Sequence, residues 1–188
     1  MPPGLLFVSS RLSSPTTLTP DKFCHWYENT HIQEVTALEG VPSAVRYEAE
    51  PLPSHPGKED GNGDGKKDAQ KGMGEEQAQW LTLYEMPDID FRHTSAFKGL
   101  DGQSEPEKSL LEGVFRQARF DTRFYELVDT FVSPQANKTK AVGVYNRLVC
   151  TAALQPPSDT ASREDFTKWY QDEHYATLST CPGYQRTR

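Results

Sequence analysis

One six-residue pattern occurs twice in this chain. Trp26–His31 reads WYENTH, and Trp169–His174, 143 positions further on, reads WYQDEH. Tryptophan, tyrosine and histidine are uncommon residues, so chance does not explain why all three return at one spacing. The recurrence indicates duplicated chemistry or duplicated architecture, and it favours a fold built from two related modules.

The residues around the two patterns align at the same offset. Thr19 pairs with Ser162, Phe23 with Phe166, Tyr27 with Tyr170, and Gly40 with Gly183. The alignment predicts an internal repeat of a whole module. The second copy reaches Arg188 just where its second strand should begin, which leaves two alternatives. Either the natural protein is longer, or another chain supplies the missing part.

The first copy carries clear helix and strand signals. Thr19 is predicted as the N-cap, Pro20 stands at the first helical position, and Gly40 suits the C-terminal cap, so residues 20–39 are predicted as one helix. Four segments are predicted as strands: residues 4–11, 43–50, 80–86 and 120–131. With a second helical region before the last strand, the order is the β-α-β-β-α-β order of a ferredoxin-like α+β fold.

The predicted domain organisation has three parts. They are a first ferredoxin-like module over residues 1–132, a linker over 133–140, and the strand–helix–strand start of a second module over 141–188. Residues 53–78, rich in glycine and charge, are predicted as a disordered insertion in the first module. In the second module, Ser162 and Asp165 form a candidate capping box.

The insertion contains a pattern that resembles a calcium loop. Asp60, Asn62 and Asp64 stand at the first, third and fifth loop positions, but the twelfth position holds Lys71 instead of a bidentate glutamate. A lysine ammonium there would repel the ion. We therefore predict no metal site.

Charge and composition exclude several classes of function. The net charge is -7 and no stripe of lysine and arginine is present, so nucleic-acid binding is not expected. No apolar stretch is long enough to span a membrane. The three cysteines are an odd number without metal-ligand spacing, which predicts small buried side chains and a reducing, cytoplasmic location.

Several of these segments together resemble a known family. They are the capped helices with F-x-x-W-Y-x-x-x-H, the glycine that leads into the next strand, WLTLYEMPD, and ARFDTRFYELVDTF. This combination resembles the EthD-like family of the dimeric α+β barrel superfamily, in particular its duplicated fungal-type members. The resemblance implies that two fused ferredoxin-like units, the second incomplete, form a barrel-like pseudo-dimer.

The same resemblance implies a function in secondary metabolism. We expect a cofactor-independent oxidoreductase of the monooxygenase type that acts on a small aromatic or polyketide-like molecule in a cleft between sheet and helices. One alternative is a cyclase, isomerase or decarboxylase on the same fold, and another is a non-catalytic small-molecule-binding protein. An incomplete sheet edge also makes a homodimer a candidate assembly.

His31 is the leading candidate catalytic residue. Imidazole titrates near neutral pH, so His31 is predicted to take a phenolic or enolic proton from the substrate, with Tyr84 or Tyr27 holding the substrate oxygen. The carbanion would then react with oxygen. Alternatively, His31 is a structural residue between helix and sheet.

The remaining candidates are predicted to form the substrate site. Trp26 would help to exclude water, Phe23 and Tyr27 share the helix side of His31, and His174 is the counterpart of His31 in the second copy. For Trp26 and Phe23, a role as core anchors is the simpler interpretation.

Overall fold

The computed structural model describes residues 1–50, 78–133 and 148–188. The chain divides into two compact units, Met1–Glu126 and Leu127–Arg188. The first unit is a mixed α+β structure that contains a four-stranded sheet. Its strands are β1 (Gly4–Leu12), β2 (Ser43–Glu48), β3 (Trp80–Met86) and β4 (Ala118–Glu126).

The sheet has the order β2-β3-β1-β4, and every neighbouring pair is antiparallel. This order is compatible with the predicted ferredoxin-like fold. The strand β4 ends at Glu126, five residues before the predicted end at Phe131, because Phe131 belongs to a strand of the second unit. The prediction had joined two strands that lie in different units.

Alternation along the strands determines which side of the sheet faces the helices. In β3 the residues Trp80, Thr82, Tyr84 and Met86 are all buried, while the residues between them are not. A strand with this period-two pattern places its buried set against one layer. Two clusters of buried side chains fill that layer, one around Tyr84 and Val35 and one around Phe23 and Tyr27.

The predicted helix over residues 20–39 consists of three consecutive segments. They are α1 (Pro20–Trp26), a π-helical turn (Tyr27–His31) and α2 (Ile32–Thr36). Thr19 is the N-cap as predicted, and its side chain accepts a hydrogen bond from the Lys22 amide at 3.4 Å. The helix ends at Thr36, earlier than predicted.

Gly40 follows this helix at a point of close contact. A Cβ atom at Gly40 would lie 2.1 Å from the Phe91 ring, so only glycine fits there without displacing the aromatic side chain. Phe91 belongs to a 3-10 helix, Ile89–His93, which precedes α3 (Ser95–Lys98). The contact holds the end of the first helical region against the second.

The second helical region of this unit is short and irregular. After α3 it contains α4 (Lys108–Leu110) and a second π-helical turn, Leu111–Phe115. Val114 in this turn and Ala118 at the start of β4 are buried in the same cluster as Phe23.

In its described residues, 127–133 and 148–188, the second unit has one helical region and two short strands. In chain order it contains β5 (Phe131–Val132), α5 (Thr160–Trp169), a π-helical turn (Tyr170–His174), α6 (Tyr175–Ser179) and β6 (Arg186–Thr187). β5 and β6 pair antiparallel, with Phe131 opposite Thr187.

The capping-box prediction for this unit was wrong. The N-cap is Asp159, whose carboxylate accepts a hydrogen bond from the Ser162 amide at 2.9 Å. A carboxylate is a strong cap and also complements the positive end of the helix, so Asp159 starts the helix three residues before Ser162.

Several predictions fall partly or wholly on residues outside the described ranges. The insertion at 53–78 lies there except for Ala78, as do the loop at Asp60–Lys71 and most of the linker at 133–140. Of the predicted first strand of the second module, over 141–152, residues 148–152 are described and form no strand.

Two further predictions concern burial and membranes. The cysteines are not buried, since Cys24 is half-exposed and Cys150 and Cys181 are exposed. Among the described residues, no helix combines the length and the apolar character that crossing a membrane requires.

Candidate functional site

Five of the six predicted site residues come together in the first unit. They are Phe23, Trp26, Tyr27, His31 and Tyr84, which belong to one continuous set of aromatic contacts. The first four lie on the helical region Pro20–Thr36 and Tyr84 lies on β3. The sixth, His174, lies in the second unit.

The π-helical turn determines how His31 is placed. Trp26 and His31 are five positions apart, and in a regular α-helix they would point in directions about 140° apart. The turn is closed by a hydrogen bond from the Ile32 amide to the Tyr27 carbonyl, which adds a residue to the turn. As a result, the rings of Trp26 and His31 stack, with centroids 5.2 Å apart and planes at 22°.

His31 has a second aromatic neighbour and an unpaired nitrogen. Its ring meets Tyr27 edge to face with centroids 5.1 Å apart. The residue is half-buried, and its Nδ1 atom is buried without a hydrogen-bond partner. Burial lowers the pKa of His31 to about 4, against a smaller opposite effect of the Asp101 carboxylate. The imidazole is therefore neutral at pH 7.

Glu34 and Asp101 are the acidic groups that interact around this histidine. Asp101 raises the pKa of His31 by electrostatic attraction of the protonated form. Burial and the charge of Asp101 together raise the pKa of Glu34. Asp101 is thus electrostatically coupled to both His31 and Glu34.

Tyr84 and Tyr27 form a buried pair below His31. Tyr84 donates a hydrogen bond to the Tyr27 hydroxyl at 3.5 Å, and the exposed fractions of the two residues are 0% and 1%. Burial raises the pKa of both hydroxyls. Phe23 is also fully buried, so these side chains fill the space between helix and sheet where the substrate cleft was predicted.

Arg46 contacts this aromatic set and was not among the predicted site residues. It lies on β2 with its guanidinium carbon 5.2 Å from the Trp80 ring centroid and 5.4 Å from that of Tyr27. Its Nη1 atom donates to the Glu28 carboxylate, and its Nη2 atom donates to the Cys24 sulfur at 3.2 Å. Only 10% of the side chain is exposed.

Strand alternation was the signal for Arg46. Ala44 and Arg46 occupy alternate positions of β2, and Ala44 packs against the core. The pattern therefore places Arg46 on the side that faces the helix. An arginine on that side is expensive to bury unless it is paired, so such a position points to a specific role.

An open groove runs beside Arg46. It has a volume of about 370 Å³ and is lined by Pro20, Asp21, Cys24, Glu28, Arg46, Tyr47, Glu48 and Trp80. We refer to it below as the Arg46 groove. None of the six predicted site residues lines it.

His174 repeats the geometry of His31. Its ring stacks on Trp169 with centroids 4.4 Å apart and planes at 26°, and it meets Tyr170 edge to face at 4.8 Å. The π-helical turn Tyr170–His174 stands at the same offset as Tyr27–His31. The surroundings differ in burial, since Trp169 is 38% exposed and Tyr170 is only half-buried.

Metal binding has no support in the described ranges 1–50, 78–133 and 148–188. Within them no group of three histidine, cysteine or acidic side chains is arranged to hold an ion.

Comparison with known proteins found no relative from which a family or function could be assigned. No family model matches the chain, and neither a curated protein nor a solved structure does.

Proposed function

We propose that the chain acts on a small aromatic or polyketide-like molecule as a cofactor-independent oxidoreductase of the monooxygenase type, with His31 as the general base. The observation that carries the proposal is the state of the imidazole. His31 is neutral, half-buried against Trp26 and Tyr27, and leaves Nδ1 without a partner. A neutral imidazole can accept a proton from a ligand, and because Nδ1 is buried, we assign this role to Nε2.

The reaction begins with a proton transfer. His31 takes the proton of a phenol or an activated CH₂ group, which leaves an enolate or carbanion beside the new imidazolium. Because burial makes the imidazolium costly on its own, the substrate anion must supply the compensating charge, as Asp101 does in part. Proton transfer is therefore coupled to substrate binding.

Oxygen is the second reactant in the proposed reaction. The carbanion gives two electrons to O₂ and forms a peroxide at carbon. The O–O bond then breaks, so that the CH₂ group becomes C=O and the second oxygen atom leaves as water, with the proton returned by His31. The atoms and electrons balance without a further reductant. Trp26 would cover the reacting carbon and keep bulk water away.

One observation favours a second candidate, a non-catalytic small-molecule-binding protein. Tyr27 and Tyr84 are fully buried, so neither hydroxyl reaches a ligand in the present arrangement. Under the main proposal the helix must move away from β3 when substrate enters. Without that movement the aromatic residues serve as packing, and a ligand contacts only the surface of the Trp26–His31 stack.

Oxygen uptake with a panel of phenolic and polyketide-like compounds tests the proposal. We expect His31→Gln to lower turnover about 100-fold or more, the usual contribution of a general base. The melting temperature should stay close to that of the wild type. His174→Gln is the matched control, since it makes the same change in a similar set of tryptophan and tyrosine contacts that is less buried.

The result distinguishes the candidates. Turnover that continues unchanged without oxygen assigns a cyclase, isomerase or decarboxylase in place of the oxidoreductase. Full turnover in His31→Gln overturns the proposed role of the base.

The finer assignment of the fold belongs to the same proposal. We propose that the two helical regions are copies of one EthD-like module, since their π-helical turns and ring contacts agree at one offset. The expected barrel-like pseudo-dimer, the cytoplasmic location and a homodimer through the sheet edge are part of this proposal. Light scattering tests the dimer.

A further inference from the structure

We infer that the Arg46 groove binds the anionic oxygen of a small ligand, a carboxylate or a phenolate, with Arg46 as the binding residue. The inference deepens the proposed function, on which it rests for the aromatic part of the ligand. It adds the charge of the ligand and the residue that recognises it.

One polar atom of Arg46 is buried without a partner. Arg46 and Thr82 stand directly opposite each other in the β2–β3 register. The Nε atom of Arg46 has no hydrogen-bond partner, whereas the Thr82 hydroxyl is close enough to the Tyr27 hydroxyl to lower the pKa of Tyr27. An unsatisfied buried polar atom is costly, so its occurrence in a native structure calls for a reason such as a missing ligand.

The aromatic rings around Arg46 hold the guanidinium in a fixed position. Trp80, Tyr27 and Phe23 surround it at 5.2 to 5.9 Å from their ring centroids. Such packing fixes the side chain in one orientation and lowers the local dielectric constant. Both effects strengthen a hydrogen bond to an anion and reduce the entropy lost on binding.

Glu28 occupies the place that a ligand carboxylate would take. Its carboxylate accepts a hydrogen bond from Nη1 of Arg46, although 53% of the Glu28 side chain is exposed. An exposed carboxylate is well hydrated and gains little from its partner. An incoming anion can therefore displace Glu28 from Arg46, and hydration of the released carboxylate keeps the cost in free energy small.

The charges of the groove favour a monoanion over a dianion. Asp21 and Glu48 line the groove together with Glu28. Three carboxylates and one guanidinium leave a net negative charge, which opposes a phosphate or a dicarboxylate more strongly than a single carboxylate or phenolate that pairs with Arg46. Tyr47, which is half-buried, offers flat apolar surface beside Arg46 for an attached ring, whereas Trp80 is only 5% exposed.

Titration calorimetry and NMR with salicylate at pH 7 test the inference, with the neutral isostere salicylamide as the matched ligand. We expect salicylate to shift the Trp80 indole signal and to bind about tenfold more tightly than salicylamide. Arg46→Met should remove this preference. Glu28→Gln should strengthen salicylate binding about threefold to tenfold, because the competing carboxylate is lost. A gain in affinity is not a result that misfolding produces.

The outcomes separate this inference from the proposed function. His31→Gln should leave salicylate affinity unchanged even though turnover falls. Equal affinity for salicylate and salicylamide overturns the inference, and so does a Glu28→Gln variant with unchanged or weaker binding. If one of these two results is found while His31→Gln still loses turnover, the proposed role of His31 as the base stands and only the anion site is excluded.

Discussion

The imidazole of His31 lies nearly parallel to the indole of Trp26, 5.2 Å away between ring centroids. The two residues are five positions apart, and the π-helical turn Tyr27–His31 makes this stacking possible. Helical turns of this kind occur frequently at functional sites. The stack places a neutral base at the surface of the first unit while one of its nitrogens remains inside.

The pH dependence of stability should reveal the buried imidazole. The pKa of His31 falls from an ordinary value of 6.5 to about 4 on folding. Between those values the unfolded chain binds a proton that the folded chain does not. The contribution of His31 to the free energy of unfolding is therefore most favourable above pH 6.5. As the pH falls towards 4, the free energy of unfolding decreases by at most about 3 kcal/mol. Urea unfolding of wild type and His31→Gln at several pH values measures the difference, and equal pH profiles would contradict it.

The hydrogen bond between Tyr84 and Tyr27 should appear as an energetic coupling. Each single change to phenylalanine leaves the other buried hydroxyl without its partner, at a cost of about 1–2 kcal/mol. The double variant should cost less than the sum of the two. Urea unfolding of all four proteins gives the coupling. Tyr47→Phe is the control with a partly exposed tyrosine, and strictly additive energies would show that the hydrogen bond contributes nothing.

Gly40→Ala should destabilise the first unit by about 1–3 kcal/mol. The new methyl group would collide with the Phe91 ring, and overpacking of a filled site has this cost. Gly113→Ala is the matched control, because a Cβ atom there meets nothing within 4 Å and alanine favours the helix. The midpoint of thermal unfolding should be lower than that of the wild type only for Gly40→Ala. Equal midpoints for both variants would place Phe91 away from Gly40.

Asp159→Ala should weaken the start of α5 by about 1 kcal/mol, since it removes the cap on the Ser162 amide. Ser162→Ala should have little effect, because its backbone amide and not its hydroxyl takes part in the cap. Amide hydrogen exchange over residues 160–163 reports the local opening. Faster exchange in Ser162→Ala than in Asp159→Ala would reverse the assignment of the cap.

Local signals made part of the fold predictable. Thr19 and Pro20 were found as the helix start because capping depends on neighbouring residues only. The strand predicted over residues 80–86 is β3, with the same bounds. Asp159 was missed because Ser162 aligns with Thr19, the N-cap of the first helix. In the second unit the Asp159 carboxylate accepts the hydrogen bond from a free backbone amide, and this makes Asp159 the N-cap.

The arrangement of the site was less predictable than its members. The set Phe23, Tyr27 and His31 was expected on one side of the helix, and these residues do lie together. Trp26 was predicted to help exclude water, and its stacking on His31 was not predicted, because no residue pattern indicates a π-helical turn. Tyr84 was a predicted partner of the substrate oxygen, but in the structure it is fully buried and donates to the Tyr27 hydroxyl.

The junction of β2 and β3 has a practical consequence. The Ala49 amide donates to the Gln79 carbonyl at 2.8 Å, and Glu48 pairs with Trp80, so the chain departs from the sheet and rejoins it at one place. Because one hydrogen bond joins these two points, a short connection is long enough to link them. A short hairpin, an affinity tag or a fluorescent reporter grafted between Ala49 and Gln79 should leave the sheet and the Trp26–His31 stack intact.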